Sequence, residues 1–160
     1  MRTYDIHEVT PAIETAEYDI GDVVFIPTEI PNFFRGANDS VEIKSLTVID
    51  RSVNLPSMFV YLTNDSTTFG TINATAGGAD SVIENVQCMI PALTTNFVGG
   101  ANYSDNCAVA CITKPDNGGI GCIVKSNNSR SIYITAILAA AAETFGSTGD
   151  LTFKIGVKYL

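Results

Sequence analysis

The side chains best suited to catalysis in this 160-residue chain are a single histidine, His7, and four cysteines. A serine or cysteine nucleophile needs a base that a third group holds in place. His7 lies in an acidic stretch near the N-terminus, and the chain has no second histidine. We therefore predict that His7 is a solvated surface residue, and that the chain carries no catalytic residue and is not an enzyme.

The spacing of the cysteines argues against zinc. Structural zinc sites usually contain cysteines two residues apart, whereas Cys107 and Cys111 are four positions apart in the strand-like stretch NCAVACIT. On a strand they would lie about 13 Å apart, too far to share one ion with bonds of about 2.3 Å. A cytosolic chain also disfavours disulfides. We predict no metal and free thiols that pack as small core hydrophobes at Cys88, Cys107, Cys111 and Cys122.

Carboxylates and glycines give no cofactor signature. Many acids follow strands or occupy turns, where Asp hydrogen-bonds the backbone; they are Asp50, Asp65, Asp80, Asp105, Asp116 and Asp150. The clusters VGGAN and NGGIG lack the following helix that would direct amides at a phosphate. The sequence therefore predicts no cofactor. A pair of acids for glycoside cleavage stays open as an enzymatic alternative, because chain spacing says little about spacing in a fold.

Composition and charge favour a protein that packs against other proteins. Only 16% of residues are charged, against about 25% in an average globular protein, so much of the surface must be neutral and polar. The net charge is −8, and seven acids occupy residues 1–30 against one base, Arg2. Like charges repel phosphates, so nucleic acids and anionic membranes are disfavoured as partners.

The N-terminus has no secretory pattern, and no apolar run approaches the ~18 residues of a membrane helix. We therefore expect synthesis in a cytosol, without a leader or a membrane span.

Short apolar runs separated by turn residues predict an all-β chain. The last run alternates from Leu151 to Tyr159 and so places five apolar side chains on one face. The predicted strands are Ile6–Val9, Asp22–Pro27, Val41–Ile49, Met58–Leu62, Val86–Ile90, Cys107–Thr113, Gly121–Val124, Ser131–Leu138 and Leu151–Tyr159. One helical turn can begin at Asp80. The stretch ILAAAAET is either helical around Ala139–Ala142 or extends a strand into a loop, and we favour the strand. This rhythm predicts a two-sheet β-sandwich of jelly-roll or Greek-key type.

The predicted domain organisation is an extended acidic arm over residues 1–18, followed by a single β-sandwich domain over residues 19–160. Pro27 and Pro31 cannot donate to a strand ladder, so they restrict their stretch to a sheet edge or a crossing between sheets. Phe33 and Phe34 follow at once, and they either fill the core at that crossing or anchor a partner. The aromatic residues predicted as candidate partner contacts are Tyr4, Tyr18, Phe33, Phe34 and Tyr103.

Four stretches, in this order, resemble a family of small structural proteins of tailed bacteriophages and prophages. They read AEYDIGDVVFIPTEIPNFFR, VEIKSLTVIDRS, MFVYLTND followed by GTINA, and SRSIYITAILAAAAETFGSTGDLTFKIGVKYL. The resemblance covers most of the chain after residue 16, and it lies in the order of the strands and in their residue pattern. It carries over no functional residue, and it says nothing of residues 1–16 or of the cysteines in NCAVAC.

The resemblance implies a virion component, a head decoration (cement) protein that bridges capsomers on the capsid surface. The expected partners are the major capsid protein and further copies of the chain, as a trimer or a dimer. The expected location is the virion, after synthesis in the bacterial cytoplasm. An alternative is a tail or head appendage whose loops TNDSTTFG or VGGANYSDN contact host-surface glycans. The third reading is the polysaccharide-cleaving domain mentioned above.

Overall fold

The computed structural model describes residues 3–78, 80–100, 104–113 and 120–160. These residues form an all-β structure of two antiparallel sheets packed against each other, which confirms the predicted sandwich. The strands are β1 (Tyr4–Val9), β2 (Val23–Ile30), β3 (Ser40–Asp50), β4 (Ser57–Thr63), β5 (Val86–Ala92), β6 (Phe97–Gly100), β7 (Ser104–Ile112), β8 (Ile123–Lys125), β9 (Ile132–Ala140) and β10 (Leu151–Tyr159). One helical turn, α1 (Asp80–Glu84), and a 3-10 helix, Thr94–Asn96, join them.

Strands that are distant in sequence are neighbours in both sheets. The first sheet has the order β1-β10-β3-β7-β6, and β8 pairs with the beginning of β3. The second sheet has the order β2-β9-β4-β5. β2 is thus an edge strand, as Pro27 requires, and its register shifts between Phe25 and Thr28. The connections cross repeatedly between sheets, as in Greek-key sandwiches.

The core lies between the two sheets. The alternating side chains of β10 contribute Leu151, Phe153, Ile155 and Val157 to it, and each is at most 1% exposed. Phe25 of the second sheet meets Phe153 of the first with ring centroids 5.2 Å apart. Full burial of such a side chain is worth about 1.5–3 kcal/mol. The alternation read from the sequence therefore identifies the core face of this strand correctly.

All nine predicted strands overlap observed ones, and one observed strand, β6, was not predicted. Its sequence, FVGG, has two apolar residues followed by two glycines, which are poor strand formers. It becomes a strand because Phe97 and Val98 pair with Ala110 and Val109 of β7. The helical turn at Asp80 is confirmed, and so is the extension of β9, which ends at Ala140.

The N-terminal residues are built into the sandwich, which corrects the predicted arm over residues 1–18. β1 pairs with β10 over its whole length, from Tyr4 opposite Lys158 to Val9 opposite Phe153. Ile13 and Tyr18 are buried in the core. The Tyr18 backbone N–H donates to the Glu143 carbonyl oxygen at 2.8 Å. The acidic composition suggested a solvated segment, but its backbone pairs with the free edge of β10, while Tyr4 and Ile6 stay exposed.

Residues 64–78 and 80–85 cover part of the second sheet from outside. Phe69 and Val82 of this segment pack with Val23 in a small second cluster. Asp65 holds the segment, because its carboxylate accepts from the Thr67 N–H at 3.0 Å and from the Asn85 side-chain amide at 2.8 Å. Within the described ranges, the structure has no helix of the length and apolarity that a membrane crossing needs.

Candidate functional site

The outward side of the second sheet carries a group of apolar side chains, which we call the outer apolar face. Strand alternation places them there, because their neighbours Met58, Val60, Leu62, Cys88 and Ile90 point into the core. The face consists of Phe59, Tyr61, Met89, Pro91 and Ile137.

The pairing register brings these five residues together. Phe59 lies opposite Pro91 on one side and Ile137 on the other, and Tyr61 lies opposite Met89. Opposed residues on one face of an antiparallel pair have side chains in contact range, with Cβ atoms about 4.5–5.5 Å apart. The five side chains therefore form one continuous surface.

The outer apolar face is only partly covered. Phe69 lies against Tyr61 with ring centroids 5.0 Å apart, and burial raises the pKa of the Tyr61 hydroxyl. Met89 remains 39% exposed. None of the five side chains carries a charge at neutral pH. Apolar surface of this kind on a sheet face is typical of a contact with another protein.

The outward side of the first sheet carries charged side chains, which the outer apolar face lacks. Its strands β3 and β10 present Lys44, Lys154 and Lys158. Lys154 pairs with Glu8 at 3.0 Å, and Lys44 pairs with Glu42 at 2.8 Å. These pairs are solvated and contribute little to stability. Apolar side chains are also exposed there, Ile6 at 67% and Ile123 at 61%, so the charges distinguish this side from the outer apolar face.

The structure brings few of the predicted partner contacts to the surface. Tyr4 is 60% exposed on β1, whereas Tyr18, Phe33 and Phe34 are fully buried. A partner cannot touch those three rings in this conformation, so they are core residues and the contact role predicted for them needs correction. Phe33 and Phe34 fill the core after β2, with ring centroids 5.3 Å apart. Tyr103 lies outside the described residues.

Tyr18 is buried because its hydroxyl finds partners. The oxygen accepts from the Glu14 N–H at 2.6 Å and donates to the Val24 carbonyl oxygen at 3.2 Å. The ring packs edge-on against Phe145, with centroids 5.7 Å apart. From sequence, a tyrosine in a polar stretch is expected at the surface. Here both hydrogen bonds satisfy the Tyr18 hydroxyl inside the fold, so the ring can be buried.

His7 is also more buried than predicted. Its ring lies 4.8 Å from the Phe33 ring, and Nε2 is 3.3 Å from the Tyr159 hydroxyl. Burial lowers the pKa of the imidazole, and the nearby Asp5 carboxylate partly opposes that shift. Arg35 lies over the Tyr159 ring at 3.8 Å. His7 thus belongs to the packing between β1 and the chain after β2, and the prediction of a solvated residue is wrong.

The four cysteines form no disulfide with one another, and Cys88 is buried in the core whereas Cys107 and Cys122 are only half-buried. Cys107 and Cys111 lie on one strand, β7, as predicted, and Cys111 is exposed and accepts from the Thr47 hydroxyl at 3.7 Å. The expectation of four core thiols is therefore wrong for Cys111. Among the described residues, no cluster of three or more His, Cys, Asp or Glu side chains is placed to hold a metal.

Three of the turn acids serve the backbone as predicted. Asp50 accepts from the N–H groups of Ser52 and Leu55, both at 2.9 Å. Asp150 accepts from the Ser147 N–H at 2.8 Å, and Asp65 has the contacts given above. Asp116, most of the glycine cluster around it and the centre of the loop VGGANYSDN lie outside the described residues.

The residues of the outer apolar face were missed as a surface, although a signal for them exists. The stretch MFVYL of β4 is apolar without interruption, and a strand with one solvated face would alternate instead. The same holds for AILAA in β9. An uninterrupted apolar strand in an antiparallel sandwich indicates that its outer face is covered by something.

No protein-family model matches the chain, and no curated protein sequence matches it. Among solved structures, a chain in the structure of infectious bursal disease virus, Gx strain, matches at 13% identity with a TM-score of 0.20. The match covers 99% of this chain and 40% of the viral chain, so this chain spans less than half of that chain's length. A likeness at this TM-score carries no argument about fold or function.

Proposed function

We propose that the chain is a structural virion protein, a head decoration protein that binds the outside of a bacteriophage capsid and stabilises it by bridging capsomers. The observation that carries this proposal is the outer apolar face on one side of the sandwich. The neutral, sparsely charged composition and the resemblance of the four sequence stretches to phage structural proteins support it as well.

The proposed mechanism is burial of surface. A stable interface buries about 800 Å² on each partner, roughly a tenth of the 7615 Å² that this chain exposes. One face of a four-stranded sheet is of that order. Capsid proteins on either side of a capsomer boundary would cover Phe59, Met89 and Pro91, and separating the capsomers would return these side chains to water.

The opposite side suits exposure to solvent. Its lysines and acids keep water bound, and its edge strand β1 carries Glu8 among the exposed residues. Charges on an edge strand discourage pairing with another sheet. Copies of the chain would therefore sit with the second sheet toward the shell and the first sheet outward, as trimers or dimers around the symmetry axes of the capsid.

Particle binding tests the proposal. Capsids from the phage that encodes the chain, freed of it, are incubated with purified protein, and occupancy is read by cryo-electron microscopy and co-sedimentation. We expect density at regular positions on the head. Density confined to the tail, or binding to cell envelopes without binding to heads, would overturn the proposal.

A matched pair of variants tests which face binds. Met89→Lys adds a charge to the outer apolar face, whereas Ile6→Lys adds one to the charged side, where Ile6 is 67% exposed. We expect Met89→Lys to weaken capsid binding at least about tenfold, which corresponds to about 1.4 kcal/mol. Ile6→Lys should bind like the parent chain. Equal losses in the two variants would contradict the orientation.

A further inference from the structure

Two cysteines from different sheets meet at one side of the sandwich. Cys88 lies in β5 of the second sheet, and Cys122 directly precedes β8 of the first. Their Sγ atoms are 2.7 Å apart. This is well inside the ordinary van der Waals separation of two sulfurs, and only about 0.7 Å more than an S–S bond of about 2.05 Å.

The backbone around both cysteines is held by regular pairing. Cys88 lies opposite Leu62 in the ladder between β5 and β4. The Cys122 carbonyl oxygen accepts from the Ile43 N–H at 2.9 Å. A contact between the Lys125 N–H and the Gln87 side-chain oxygen, at 3.4 Å, also joins the two segments. Hydrogen bonds to neighbouring strands therefore hold the backbone at both cysteines, and the sulfur contact lies where the two sheets approach each other.

The two thiols differ in acidity and access. The hydrogen bond between the two thiols lowers the pKa of Cys122, while that same interaction and burial raise the pKa of Cys88. Cys88 is 5% exposed, and Cys122 is only partly buried. A reagent from solution thus reaches Cys122 first, and Cys122 is also the better source of the thiolate that reacts.

We propose that Cys88 and Cys122 are a redox-active pair that closes to a disulfide between the two sheets when the protein meets a low-molecular-weight disulfide such as oxidised glutathione. This inference concerns the chain alone and does not rest on the proposed function.

The reaction is two successive thiol–disulfide exchanges. The Cys122 thiolate attacks one sulfur of glutathione disulfide, whose S–S bond breaks, and one glutathione leaves and takes up the proton that Cys122 lost. Cys88 then gives up its proton and attacks the Cys122 sulfur of the mixed disulfide, which expels the second glutathione as a thiol. Two protein thiols are oxidised, and one glutathione disulfide is reduced to two thiols.

The other cysteines provide an internal comparison. Cys107 and Cys111 point to the same side of β7, but four strand residues separate them by about 13 Å. A disulfide needs Cα atoms within about 7 Å, so these two cannot bridge each other. Oxidation should therefore select Cys88 and Cys122, although Cys111 is more exposed.

Closure of this bond would stabilise the fold. It ties together the chain between residues 88 and 122, which includes β6 and β7, and so removes conformations from the unfolded state. For a loop of this length in a protein of this size, we expect Tm to rise by about 10 °C. A reductant should reverse the rise.

The test uses the folded, full-length chain and a titration with oxidised glutathione. Free thiols are counted in denaturant, and the intact mass and the linked peptides are read without reductant. We expect two of the four thiols to disappear, the mass to fall by two hydrogen atoms, and one linkage, Cys88 to Cys122. Four retained thiols, a stable glutathione adduct without closure, or a link to Cys107 or Cys111 would each overturn the proposal.

Two double variants complete the design. Cys107→Ser with Cys111→Ser should keep the oxidation and the rise in Tm, whereas Cys88→Ala with Cys122→Ala should lose both. The thiol count and the peptide map of the parent chain test the proposal by themselves, so the result stands even if the variant without Cys88 and Cys122 folds poorly.

Discussion

Gly156 is a position of β10 where a side chain has no room. A Cβ atom built there would overlap Oγ of Ser45 on the neighbouring strand β3, and the register of this strand pair shifts directly after Gly156. The only atom in the way is the Ser45 hydroxyl oxygen, since the Ser45 Cβ stays at 3.6 Å. The Ser45 hydroxyl oxygen therefore limits the size of the side chain that β10 can carry at position 156.

Substitution Gly156→Ala should lower the free energy of unfolding by about 1–3 kcal/mol, the usual cost of overfilling a packed site. Ser45→Ala removes the obstructing oxygen, so the double variant should recover most of the loss. Urea unfolding of the four proteins in this cycle measures the effect. A double variant as unstable as Gly156→Ala would contradict the steric explanation.

The stability of the fold depends on pH through the imidazole of His7. Burial lowers the pKa of the folded imidazole below its ordinary value of 6.5. The unfolded chain therefore binds a proton more readily than the folded one, so this contribution to stability is complete above pH 6.5 and declines as pH falls through the folded pKa.

The variant His7→Gln removes this dependence. We expect the parent chain to lose more stability than His7→Gln between pH 7.5 and pH 5, as followed by thermal unfolding across that range. The carboxylates titrate in both proteins, so the difference between the two curves isolates His7. Parallel curves would show that the imidazole keeps its solution behaviour in the folded chain.

At the scale of elements, β1 is a structural strand. It covers the outer edge of β10, and His7 on it packs against Phe33. The segment that follows leads to Ile13 and Tyr18 in the core. An acidic N-terminus therefore does not mean a free one, because backbone pairing with β10 holds the strand, while Tyr4, Ile6 and Glu8 stay exposed on its outer side.

Deleting residues 1–18 should destabilise the sandwich strongly, because it uncovers β10 and empties the site of Tyr18. Loss of a large buried aromatic alone costs about 3–5 kcal/mol. Circular dichroism melts of the truncated and full chains measure this, and deletion of residues 1–3 serves as the control. A truncated chain that melts with the parent would restore the model of a separate arm.

At the scale of the whole molecule, one core cluster of the described residues spans both sheets, so we expect the sandwich to unfold as one cooperative unit. Phe25 and Phe153 make the most direct aromatic contact between the sheets, at 5.2 Å. A substitution in either sheet should therefore shift the same unfolding transition.

A double-mutant cycle of Phe25→Leu and Phe153→Leu should show a coupling energy of about 0.5–1.5 kcal/mol, as expected for rings in contact. Each single variant should give one unfolding transition, with the same midpoint by fluorescence and by circular dichroism. Additive losses, or two separate transitions, would mean that the sheets do not share their core.

The sequence by itself determined the fold class, the strand order along the chain and which side of β10 is buried. These features depend on local alternation and turn residues, which are written in neighbouring positions. It also identified the roles of Asp50, Asp65 and Asp150, since an acid at a strand end acts on nearby backbone groups.

Only the tertiary structure decided which strands are neighbours, and every error follows from that. The burial of Tyr18 and His7, the pairing of β6, and the meeting of Cys88 with Cys122 are contacts between distant parts of the chain. The outer apolar face is likewise assembled from three strands by their register. The apolar period and the composition of a segment show which side chains it could bury. Which of them are buried depends on the strand with which the segment pairs.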